Sequence, residues 1–116
     1  MSDKLIGFIS IGMKAGAYTL GSDMTERAAR AGKVHLILLS CDASANTKKL
    51  VYNVAKTKNI EVIEHYDMDT LGGACGKPQL SVIGVKNKGI ARQIILLYAK
   101  TVKGGTLDDR SEIPSS

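Results

Sequence analysis

The chain has 116 residues, 44% of them hydrophobic and 23% charged, with a formal net charge of +5. This length suits one domain with room to bury a core unaided by metal or disulfide. The basic excess favours a polyanionic partner, while no apolar run is long enough to span a bilayer and the N-terminal stretch lacks a secretory pattern, so no membrane association is expected.

Leu5, Phe8, Ile9 and Gly12 or Met13 recur at helical spacing, so residues 4–14 read as a helix ending near Gly16. Residues 17–20 suit a short strand. Asp23 and Glu26 have the spacing of a capping box, opening a helix that Gly32 ends, with Met24, Ala28 and Ala31 as its buried stripe. The nearly continuous apolar run 34–39 (VHLILL) reads as a strand covered on both faces. A third helix follows, capped by Ser44 or Asp42, and buries Leu50, Val51, Val54 and Thr47. Residues 60–63 alternate like a strand. Asp67 or Asp69 caps a brief helix over 68–75, broken by Gly-Lys-Pro at 76–78. The stretch 80–85 is the next strand, and 88–100 form a last helix with Ile90, Ala91, Ile94, Ile95, Leu97 and Tyr98 on its apolar face.

Helices alternating with single short strands imply an α/β fold, a three-layer α/β/α sandwich on a small mixed four-stranded sheet. Residues 1–103 are expected to form the single domain and 104–116 a disordered acidic tail. That tail holds one basic and three acidic residues, which leaves 15 basic against 8 acidic residues on the body.

Ser40 to Lys49 (SCDASANTKK) combine a small polar turn with Lys48 and Lys49 early in a helix. Positive side chains are disfavoured there by the helix dipole, and the arrangement suits a phosphate. The lysines read equally well as solvated. Gly72, Gly73, Gly76 and Lys77 superficially resemble a phosphate-binding loop, but Leu71 and Pro78 stand where the Walker pattern needs Gly and a hydroxyl. Cys41 and Cys75 make no CxxC pair and are expected to be reduced and buried in a cytosolic protein. A zinc site would require both to converge with His35 and His65, so no metal or cofactor is expected. No catalytic constellation is apparent. Aromatic residues are 4% of the chain, too few for a base-stacking platform, so a basic domain of this kind suits structured RNA read by shape and phosphate position.

The segments AGAYTLGSDMTERAARAGKVHLILLS, DASANTKKL and LGGACGKPQLSVIGVKNKGIA together resemble the L-seven-Ae and L-thirty-e type ribosomal proteins, which bind kink-turn RNA, and in particular their small bacterial YlxQ-like members. The resemblance covers roughly residues 4–100 and implies an α/β/α sandwich with a structured RNA ligand. In that family a Gly-x-Asn-Glu-x-x-Lys motif opening the second helix grips the kink-turn, with Asn and Glu reading sheared G·A pairs. Here the matching residues are Gly21, Ser22, Asp23, Met24, Thr25, Glu26 and Arg27. Asp23 gives up an amide donor and Met24 an acceptor, at a cost on the order of 1–3 kcal/mol per contact by analogy with DNA readout. A simple N-cap at Asp23 and a core or rim position for Met24 would serve as well. The family's second contact, a loop before the last strand, matches Gly76, Lys77, Pro78, Gln79 and Leu80.

These residues give a non-catalytic RNA-binding protein whose edge comprises 21–30, 42–48 and 76–80. Arg27, Arg30, Lys33, Lys48 and Lys77 would attract phosphate, and Gly21 and Gly76 would allow close backbone approach. The expected setting is cytoplasmic and ribosome-associated, with ribosomal RNA and ribosomal proteins as partners and a monomer when free. Asp23 and Met24 also support an alternative, a protein-interaction module of the same fold that has lost specific kink-turn recognition.

Overall fold

Within the run at 34–39 both faces are covered from Leu36 to Leu39, whereas His35 lies before the strand and is exposed, and the rest of the architecture is arranged around that strand. The computed structural model describes residues 4–104. In chain order the elements are α1 (Lys4–Lys14), β1 (Tyr18–Leu20), α2 (Ser22–Arg30), β2 (Leu36–Leu39), α3 (Ala45–Lys58), β3 (Glu61–Glu64), α4 (Met68–Ala74), β4 (Val82–Val85) and α5 (Lys88–Gly104). The sheet order is β1-β4-β2-β3. It is mixed, with β2 parallel to β3 and β4 antiparallel to both of its neighbours.

Successive residues of a strand face opposite sides, and β2 feeds two cores. Leu36 and Leu38 pack with Leu5, Ile9, Leu71 and Ile94, under α1, α4 and α5. Ile37 and Leu39 pack with Ala29, Val51 and Val54, under α2 and α3. Full burial of each large aliphatic side chain contributes about 1.5–3 kcal/mol, so the paired cores explain why β2 needs no polar face. The result is the expected α/β/α sandwich with a mixed four-stranded sheet.

Two expectations about α2 are corrected. Its N-cap is Gly21, at φ 94°, with no side-chain cap bond, so Asp23 lies inside the first turn instead of capping it. Glu26 does not reach back either; it pairs with Arg30 one turn on, at 2.8 Å. The buried stripe is Thr25 and Ala29, and Met24 is 58% exposed. The cause lies in β4: a Cβ at Gly84 would collide with the side chains of Thr19 and Thr25. Without one, α2 settles close to the sheet on its small residues, and the Thr19 and Thr25 hydroxyls bond at 2.9 Å.

Smaller differences follow from chain geometry. Ser44 is the N-cap of α3, accepting from the Thr47 amide at 3.2 Å, whereas Asp42 accepts from the Met68 amide at 2.9 Å and so joins the turn before α3 to α4. Asp67 caps α4. Cys75 is buried but Cys41 is exposed, because it lies two residues past the end of β2. Helix α5 continues to Gly104, past the expected end at 100. Apart from Gly104, the expected acidic tail lies outside the described residues. No helix among them is long and apolar enough to cross a membrane.

Candidate functional site

Strand register brings the three expected segments to one end of the sheet. Leu20 pairs with Ile83, Leu39 with Val82, and Glu64 with Leu39, so β1, β2 and β3 finish where β4 starts. Beyond that line Gly21 donates to the Val82 carbonyl at 2.9 Å, Ser40 to Ser81 at 2.8 Å and Cys41 to Tyr66 at 2.9 Å. The start of α2, the turn into α3 and the loop before β4 therefore leave the sheet side by side. Sites on adjacent strand ends inherit the rigidity of the sheet that holds them.

On α2, Asp23, Glu26, Arg27 and Arg30 line an open groove of about 270 Å³. Arg30 is matched by Glu26, its Nε donating at 3.0 Å. Arg27 makes no ion pair among the described residues, which leaves it the uncommitted cation of this groove. It also walls a second cleft with Thr19, Met24, Ala28, Ala31, Lys33 and Lys86. Lys33 follows the C-terminal end of α2, the far end from Gly21. It is therefore separated from the strand-end loops. Ser22 is half-buried at the start of the helix.

At the start of α3 the two lysines part company. Lys48 donates to the Cys41 carbonyl at 2.8 Å and pairs with Glu64 at 3.0 Å, tying α3 to the end of β3. A phosphate at Lys48 would have to displace that carboxylate. Lys49 is exposed. Tyr52, one turn further along, donates to Glu64 at 2.6 Å. This bond is the main cause of two opposite shifts, with Lys48 reinforcing the first: the Glu64 carboxyl is held below its ordinary value and the Tyr52 phenol is pushed up to about 12. The folded phenol holds its proton more tightly than the unfolded one, so its contribution is complete below pH 10.0 and is lost as pH rises towards about 12. The carboxylate's contribution runs the other way, present at neutral pH and lost as acid carries the solution through its lowered pKa. Glu64→Gln is expected to bring the Tyr52 titration back towards 10.0, read as phenolate absorbance. An unchanged alkaline titration would show that the bond does not form in solution.

The loop before β4 is held from below. Gly76 takes φ 71°, a left-handed conformation that favours glycine. The Lys77 amide donates to Gly72 at 2.8 Å, the Leu80 amide to Met68 at 3.1 Å, and the Gln79 side chain to Asp69 at 2.9 Å. Lys77 and Pro78 project outward as exposed residues, while Leu80 is half-buried against the core.

Of the residues singled out in the sequence, Gly21, Ser22, Asp23, Met24, Arg27, Gly76, Lys77, Pro78, Gln79 and Leu80 thus belong to elements converging at one sheet end. Lys48 is there too, with its charge matched. Sequence reasoning overlooked Lys86 and Glu64. Lys86 directly follows β4, and its amide donates to Ala17 at 2.7 Å, which places it beside β1 and within reach of the cleft on α2. No group of three potential metal ligands converges among the described residues. Chemically, the edge offers exposed cations and glycines at positive φ, and the apolar cleft on α2 adjoins it through Met24 and Arg27.

Comparison with known proteins adds four findings. The model of the ribosomal protein L7Ae/L30e/S12e/Gadd45 family matches residues 4–95. The RNA-binding protein YlxQ of Enterococcus faecium is 28% identical over 90 residues, which span 78% of this chain and 86% of that protein. Among solved structures, a protein of unknown function from Bacillus halodurans superposes with a TM-score of 0.82 at 30% identity, over 84% of this chain and 99% of that one. The 15.5 kD RNA-binding protein of Giardia lamblia gives 0.68 at 16% identity, over 86% and 89% of the respective chains, and so shares the fold.

Proposed function

The chain belongs to the ribosomal protein L7Ae/L30e/S12e/Gadd45 family, and we propose that it binds structured RNA of the kink-turn type without catalysing a reaction. The observation that carries this reading is the convergence of Gly21, Arg27, Gly76 and Lys77 at one sheet end. Arg27 and Lys77 meet phosphates there, and the positive φ values of Gly21 and Gly76 let RNA backbone approach closely. Pro78 and Leu80 supply an apolar shoulder beside them. The relative named as an RNA-binding protein supports the class of ligand. On the same reading the protein acts in the cytoplasm, associated with ribosomes through ribosomal RNA or ribosomal proteins, and is a monomer when free.

Asp23 and Met24 favour a second reading, a protein-interaction module on the same fold, because each removes a polar contact that the resemblance assigns to G·A pairs. Titration of the full chain against a kink-turn RNA, a kink-disrupted control and a plain duplex separates the two. Kink-turn binding is expected to be at least about tenfold tighter than duplex binding, the equivalent of one good base contact. Arg27→Ala and Lys77→Ala should each weaken it and flatten its salt dependence. Equal affinity for all three RNAs, vanishing at moderate salt, would leave only charge attraction and favour the second reading.

A further inference from the structure

The second cleft on α2 shares Met24 and Arg27 with the proposed RNA edge but runs away from the strand-end loops, towards Lys33 and Lys86 at the other end of the sheet. Its volume is about 280 Å³, and it runs between α2 and the outer strand β1. Met24, Ala28 and Ala31 are spaced four and three residues apart, so they form one apolar stripe along the helix. Arg27, Lys33 and Lys86 stand around that stripe, and none of the three makes an ion pair among the described residues. No acidic residue lines the cleft, since Asp23 and Glu26 face the neighbouring groove. Thr19 completes the wall, but its hydroxyl is committed to Thr25 at 2.9 Å.

We infer that this cleft holds one unpaired nucleotide of the bound RNA, its base lying on Met24, Ala28 and Ala31 and its flanking phosphates held by Arg27, Lys33 and Lys86. The inference rests on the RNA-binding reading and extends it to a contact made away from the strand-end loops. Charge selects the occupant: three unmatched cations around an apolar floor suit a polyanion with a flat apolar face. Polarizable methionine sulfur packs well against aromatic rings. The uncharged side chains of the lining offer no free donor or acceptor to read a base edge, so the pocket accepts any of the four bases. Arg27 belongs to both grooves and connects the pocket to the RNA edge.

The test uses the full chain and a kink-turn RNA with short single-stranded uridine extensions at both ends. Abasic residues are placed one at a time at every unpaired position. At one position, loss of the base is expected to weaken binding roughly tenfold, as loss of a stacked base does elsewhere. Changing the identity of that base should matter little, and in Met24→Ser the abasic penalty should fall below about twofold. Lys33→Gln and Lys86→Gln should each reduce the slope of log affinity against log salt by roughly 0.7. Tight binding with no position sensitive to base loss, or with the same penalty in Met24→Ser, overturns the inference and leaves the RNA reading standing. Failure to bind any RNA overturns both. Self-association abolished by Met24→Ser, without a Met24-dependent nucleotide, would assign the cleft to a second copy and overturn the inference as well.

Discussion

Gly72→Ala is expected to lower RNA affinity at least about tenfold and to destabilise the fold by about 1–3 kcal/mol, the usual cost of forcing an extra carbon into a packed site. A Cβ at this position would lie 2.7 Å from the Gln79 Cα, 2.8 Å from its nitrogen and 2.8 Å from the Lys77 carbonyl oxygen. All three are backbone atoms, which cannot rotate aside as a side chain can. The loop 77–79 must therefore lift, breaking the Lys77 amide bond to Gly72 and displacing Lys77 and Pro78 from the proposed RNA edge. Gly73 is the internal control. Nothing lies within 4 Å of its added Cβ, and alanine is the better helix former by roughly 1 kcal/mol. Gly73→Ala should thus be neutral to stabilising and bind RNA normally. Denaturation midpoints and RNA titrations of the two variants, measured where both are folded, check the contrast. Indistinguishable variants would mean that the loop's position does not matter to binding.

Gly72 and Gly73 also show what one-dimensional reading cannot reach. In sequence they are a glycine pair without distinction, and only the return of the chain at 77–79 separates them. The same limit applies to Lys48: its partner Glu64 comes from the next strand, so its position early in α3 suggested an anion site although its charge is already matched. Lys86 was overlooked because its neighbours across the cleft, Met24 and Lys33, belong to α2 and the turn after it, distant in sequence from the end of β4. What needed no such contact was legible. The run 34–39 announced a strand covered on both faces, which Leu36–Leu39 form, and Ser44 was one of two N-cap candidates by type and position.

The register of α2 was misread for a definable reason. Hydrophobic periodicity assigns Met24, Ala28 and Ala31 to the core because they are the apolar residues at helical spacing. The sheet beneath presents Gly84 and the hydroxyl of Thr19, and a small polar residue is the better complement: Thr25 is 1% exposed and hydrogen-bonded there. A core that buries a threonine pair in place of a methionine turns the apolar stripe outward. The burial of Thr25 in place of Met24 and the existence of the cleft are the same fact.

Asp23→Asn with Met24→Glu is the second large effect, and its components are expected to differ in kind. The asparagine removes a negative charge facing RNA and adds an amide donor, so alone it should tighten kink-turn binding about tenfold. The glutamate adds an acceptor for guanine amino groups, and a negative side chain in the first turn of α2 also suits the helix dipole. Together the two should raise the preference for kink-turn over duplex by roughly 10- to 100-fold. The same glutamate, however, would sit in the cleft among Arg27, Lys33 and Lys86, neutralising part of the field that holds an unpaired nucleotide. The double variant should accordingly gain selectivity for the kink and lose sensitivity to the abasic position, whereas Asp23→Asn alone should keep both. If the double variant gains neither affinity nor selectivity, positions 23 and 24 do not face the G·A pairs. If it gains selectivity and keeps the abasic penalty, the nucleotide lies elsewhere on the protein. Met24 is thus where two ways of reading RNA compete for one helix position, and the comparison of single and double variants separates them.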